Sequence, residues 1–84
     1  MDGIFYCGGD GSSIDEAVVI LGASYPIEGI RAEREWLEAI YPRWRMAGQA
    51  LIEHEGRHYD KHTCESPKGR QKVVFFDISD FYGK

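Results

Sequence analysis

RMAGQALIEHEGRHYDKHTCESPKGRQKVVFFDI, residues 45–78, decides the fold: apolar and polar residues alternate along it, and turn chemistry breaks the alternation twice. The breaks are Glu55-Gly56 and Ser66-Pro67-Lys68-Gly69. Between and around them the pattern predicts strands from about Arg45 to Glu53, Arg57 to Cys64 and Gln71 to Ile78, a β-meander. With Glu55-Gly56 as the hairpin loop, Ile52 faces Tyr59, Ala50 faces Lys61 and Gly48 faces Thr63. On the opposite side Glu53 faces His58, Leu51 faces Asp60 and Gln49 faces His62. Met46, Ala50, Ile52 and Tyr59 then share a face with Val74, Phe76 and Ile78 of the third strand, and that face is expected to lie under a helix.

The helix lies just upstream. Ser24 is placed to cap it, Pro26 fits its first turn because a missing N–H there loses no bond, and Pro42 stops it after Tyr41. At 100° per residue Ile27, Ile30, Trp36, Leu37, Ile40 and Tyr41 form one arc, with Glu28, Arg31, Glu35 and Glu38 opposite. Gly29 is expected to loosen the first turn, since glycine in a helix interior is unfavourable by up to ~1 kcal/mol. Further back, Ala17-Val18-Val19-Ile20-Leu21 reads as a buried strand ended by Gly22. Gly8 to Ser13 reads as a loop; it precedes a strand and lacks Gly-Lys-Ser/Thr, so it is no phosphate cradle. The expectation is an α+β domain in β-α-β-β-β order, one amphipathic helix on a mainly antiparallel sheet. Residues 1–13 form a flexible arm and loop, and residues 14–84 the folded core.

Composition limits what such a domain can do. Eighty-four residues, 43% of them hydrophobic, suffice for one small core. A net charge of −4 disfavours nucleic acid and anionic membranes as partners. No apolar run is long enough to cross a membrane, and Met1 to Asp10 lacks a signal-peptide pattern, so a cytoplasmic location is expected. Cys7 and Cys64 lack metal-knuckle or redox spacing and are read as thiols; no cofactor is expected.

GDGSS followed by AVVI, then GIRAEREWL, HYD and the closing FFDISDFYGK resembles an uncharacterised family of small bacterial proteins, similar to some encoded on integron gene cassettes. The resemblance covers nearly the whole chain. It implies a self-contained bacterial domain and supplies no reaction, cofactor or catalytic residue.

Three features bear on chemistry. Glu33 lies at about 240° on the helical wheel, between Ile40 at about 220° and Leu37 at about 280°, inside the apolar arc. Burial forces it either to find a partner, with Lys61 and Tyr59 as candidates, or to hold a proton. Second, His58, Asp60, His62 and Cys64 alternate on one strand face. His58, Asp60 and His62 are the candidate metal ligands, and Glu33, His58 and Asp60 the candidate acid–base groups. Alternate strand residues are about 6.6 Å apart, so only neighbours could share an ion, with help from Glu53 or Asp77; a solvated polar face is the simpler reading. Third, one helix cannot cover both sheet faces. Trp44, Leu51, Val73, Phe75, Phe81 and Tyr82 are the candidate interface on the reverse, predicting a homo-oligomer, a two-fold dimer, unless the N-terminal arm or the C-terminal tail folds over that face. The expected function is a non-catalytic binding or interaction module that self-associates; the alternative is a small enzyme or metal-binding protein using the polar strand face.

Overall fold

The computed structural model describes residues 3–84. Its elements are β1 (Phe5–Gly8), β2 (Val18–Leu21), α1 (Pro26–Ile40), β3 (Arg45–His54), β4 (Arg57–Glu65) and β5 (Gln71–Asp77). They form one five-stranded sheet in the order β1-β2-β5-β4-β3, with α1 on one face. All neighbouring strands are antiparallel except β2 and β5, which run parallel because α1 and the β3-β4 hairpin separate them in the chain. The class is α+β. The order is β-β-α-β-β-β, because Phe5–Gly8, expected in the arm, pairs with β2 as an edge strand. Residues 1 and 2 of that expected arm lie outside the described residues.

The β3-β4 register matches all six expected pairs, from Gly48 opposite Thr63 to Glu53 opposite His58. Glu55 and Gly56 both take positive φ, 52° and 80°, as a two-residue hairpin turn with the right-handed strand twist requires. The β4-β5 register differs from the expectation. Glu65 pairs with Gln71, so the loop is Ser66–Arg70, one residue longer than the expected turn. That residue reverses a parity: Val74 sits opposite His62 and Phe76 opposite Asp60, not beside the Tyr59 side of β4. Val74, Phe76 and Ile78 do lie in the core beneath α1, but Asp60, His62 and Cys64 go there with them. Ala50, Ile52 and Tyr59 therefore belong to the reverse face.

The core joins Val18 and Ile20 of β2, Ala32 and Leu37 of α1, Cys64, Val74, Phe76, Ile78 and Phe81. Trp36 meets Phe76 edge-on, with centroids 5.4 Å apart, and the Tyr6 hydroxyl donates to the Ala32 carbonyl at 2.8 Å, tying α1 to β1. The shortest dimension, 19 Å, corresponds to two layers, since packed layers stand about 10 Å apart. No helix among the described residues is long and apolar enough to cross a membrane.

Two local expectations are corrected. Tyr25, not Ser24, is the residue before the first helical turn, and no side chain caps it; the Ser24 N–H instead donates to the Glu28 carboxylate at 2.8 Å. Gly29 does not loosen the helix. The Phe81 ring lies against its backbone, where any Cβ would collide with it, so the chain end packs into the notch that the missing side chain leaves.

Candidate buried acid-histidine site

Glu33 and Leu37 are successive contacts of one helix stripe, which is why a carboxylate in that stripe faces the sheet. Glu33 is 1% exposed, buried with Gly29, Ala32 and Leu37, whereas Ile27, Ile30 and Ile40 of the expected apolar arc are exposed. Its partner is His62 rather than Lys61 or Tyr59: Glu33 Oε1 and His62 Nε2 are 2.7 Å apart. Lys61 and Tyr59 point to the reverse face by the same parity that carried His62 inward. Asp60, two residues before His62 and so on the same side of β4, joins them. One ligating atom from each of Glu33, Asp60 and His62 lies within 4.8 Å of the others. Asp60 is 7% and His62 4% exposed.

Burial dominates the electrostatics. It pushes Glu33 up to about 10, with the neighbouring Asp60 carboxyl adding to the rise, so Glu33 is protonated at neutral pH. Burial also lowers His62 from its usual range, which keeps the imidazole neutral there. A neutral carboxyl and a neutral imidazole thus share one proton across the Glu33 Oε1–His62 Nε2 contact. Both remaining atoms, Glu33 Oε2 and His62 Nδ1, are buried without a hydrogen-bond partner. Cys64, next on the same face, is a buried free thiol that burial pushes up, and Cys7 is an exposed one.

His58 does not join this group. Its ring stacks on Tyr82 at 4.0 Å between centroids, and its Nε2 stands 4.0 Å from Glu53 Oε2. Of the candidate metal ligands the fold thus unites Asp60 and His62 and replaces His58 by Glu33. Asp77 is engaged elsewhere: Arg57 Nε donates to it at 2.8 Å and the Ser79 N–H at 3.0 Å.

The candidate interface residues divide between faces. Val73 and Phe75 are half-buried on the reverse face, among Lys61, Thr63 and the Arg57–Asp77 ion pair. Leu51 shares the helix side with Asp60, and Phe81 is buried in the core. Leu51, Phe81 and Tyr82 line a hollow of about 280 Å³ between α1 and β3, together with Ile30 and Asp60. A second hollow of about 220 Å³ between the same elements is lined by Leu37, Tyr41, Trp44, Met46 and Cys64. The polar cluster therefore reaches one of these apolar hollows through Asp60. The turn motif Ser66-Pro67-Lys68-Gly69 does not fix the length of the Ser66–Arg70 loop, and that length decides whether Asp60 and His62 share a face with Phe76. No protein-family model, curated protein or solved structure matches this chain.

Proposed function

We propose that the protein is a non-catalytic binding module that associates with a second copy of itself through the helix side of the sheet, along the flank of α1. The observation that carries this reading is the set of large apolar side chains left in water there. Leu51 is 54% exposed, Ile30 48% and Met46 42%, all around the two hollows between α1 and β3. A helix is about 10–12 Å wide and neighbouring strands are about 4.8 Å apart, so one helix cannot cover five strands; β3, the far edge, stays open. Apolar patches of this kind on a small domain favour association.

The mode is side-chain packing rather than strand addition. β3 carries a register shift between Met46 and Gly48 and charged residues at both ends, features that discourage edge-to-edge pairing. The reverse face is a poorer contact, because Lys61, Thr63 and the Arg57–Asp77 pair interrupt its half-buried apolar residues. Size-exclusion chromatography with light scattering at micromolar concentration is expected to return twice the chain mass. A monomer mass throughout that range would defeat this reading.

A second reading, a small metal-binding protein or enzyme, is favoured by the convergence of Glu33, Asp60 and His62 in one buried cluster.

A further inference from the structure

The Glu33, Asp60 and His62 cluster combines features that a structural contact alone does not require. Three side chains of metal-ligand type converge within 4.8 Å from two elements, α1 and β4, and all three are more than nine-tenths buried. A buried polar group with no partner is unfavourable, and here two remain: Glu33 Oε2 and His62 Nδ1. The core around them is apolar, with the Phe76 ring edge-on to His62 at 5.5 Å. Apolar residues at both positions 33 and 62 would avoid the problem, yet the chain places a carboxyl and an imidazole in contact.

We propose that Glu33, Asp60 and His62 form a binding site for one divalent transition-metal ion, with a coordination position open toward the hollow between α1 and β3. Two carboxylates neutralise a divalent charge within the low-dielectric core, and one imidazole with two carboxylate oxygens suits zinc, manganese, cobalt or ferrous iron. Around a tetrahedral ion with bonds of about 2.1 Å the ligand atoms stand about 3.4 Å apart. The Glu33–His62 contact at 2.7 Å must open slightly and the farther atoms, within 4.8 Å, must close slightly. Changes of that size lie within reach of side-chain rotation. The ion takes the place of the proton shared by Glu33 and His62, which leaves to solvent. Entry is through Asp60, which lines the hollow of about 280 Å³, and the same hollow gives water access to the remaining position. All three ligands come from one copy, so a monomer can hold the ion; because the hollow is also the proposed contact between copies, the titration is run on the parent and on Leu51→Lys, and the site must bind in the monomer.

The experiment uses the full chain, stripped with chelator and then titrated separately with manganese(II) and cobalt(II) salts near pH 8. Calorimetry, thermal unfolding and cobalt visible absorption are followed. One ion per chain, a raised Tm and cobalt bands of low coordination number are expected. Glu33→Gln and Asp60→Asn, which keep side-chain shape, are each expected to weaken binding by at least about 100-fold, the upper end of what loss of a mere supporting group produces. A His54→Ala/His58→Ala variant, with the two histidines outside the cluster removed, should bind as the parent does. The proposal is overturned by no heat and no Tm shift with either ion. It is also overturned by binding that survives Glu33→Gln and Asp60→Asn but disappears with His54 and His58, which would assign the ion to the surface. Folding of the two carboxyl variants is checked by circular dichroism. Should either unfold, Glu33→Asp, which keeps the carboxylate on a shorter arm, must weaken binding while Tm without metal stays measurable; unchanged affinity in that variant overturns the site.

Discussion

Glu33 illustrates how one side chain can make stability depend on pH. The unfolded chain releases this proton near the ordinary value of 4.5, whereas the folded chain holds it to about 10. Its contribution is complete below 4.5 and is lost as the pH rises toward 10, at a slope of up to about 1.4 kcal/mol per pH unit. His62 acts in the opposite sense: its lowered value means that the unfolded chain gains a proton first, so stability falls as the pH drops below 6.5. Chemical unfolding of metal-free protein between pH 6 and 9 should show the alkaline loss. In Glu33→Gln it should be flattened, so that the variant gains on the parent by up to about 1.4 kcal/mol per pH unit over this range, because the amide takes up no proton on folding. Equal slopes in both proteins would show that Glu33 titrates normally. Gly29 offers a second test at this scale. By helix propensity alone Gly29→Ala stabilises by up to ~1 kcal/mol. The Phe81 ring occupies the space of the new methyl, so the expected outcome is instead a loss of about 1–3 kcal/mol, read as a lower denaturation midpoint with an unchanged slope.

At the scale of elements, the chain end is what closes the core. After β5, the Asp77 carboxylate accepts from the Ser79 N–H, and the Ser79 hydroxyl accepts from the His58 N–H at 3.0 Å. The Ile78 N–H donates to the His58 carbonyl at 2.9 Å. These bonds bend the chain so that Phe81 reaches Gly29. Burial would raise Asp77, but hydrogen bonds from Arg57 and Ser79 outweigh it and hold the carboxyl below its usual range. Its contribution is therefore present above the ordinary 3.8 and lost as the pH falls through the lowered value. Asp77→Asn should lower stability by about 1–3 kcal/mol at neutral pH, and the difference from the parent should shrink on acidification below pH 4. A difference constant down to pH 2 would mean that packing, not charge, holds this turn.

For the whole molecule, the controlling fact is that one helix is narrower than the sheet it covers. β2 and β5 are shielded, β4 is shielded through Glu33 and Leu37, and the two edges stay open, β1 with Phe5 and β3 with Met46 and Leu51 in water. Leu51→Lys should therefore convert the proposed dimer to a monomer. The thermal stability of the isolated chain should change by no more than about 0.5 kcal/mol, since an exposed side chain away from core contacts contributes little to folding. A Leu51→Lys protein that stays dimeric would exclude the hollow beside α1 as the contact.

What the chain by itself determined is local. Alternation between residues 45 and 78, the Glu55-Gly56 turn and the Pro42 stop specify a helix and a meander, because each depends on residues within one or two turns or pairs of one another. The hairpin register and the burial of Glu33 were legible for the same reason. Tertiary structure decided which polar side chains meet. The Ser66–Arg70 loop has one residue more than its turn motif, and because strand side chains alternate with period two, that residue turned Asp60 and His62 from water toward Glu33. The edge strand β1 and the burial of Phe81 also depend on distant partners, β2 and Gly29, whose positions no local pattern encodes.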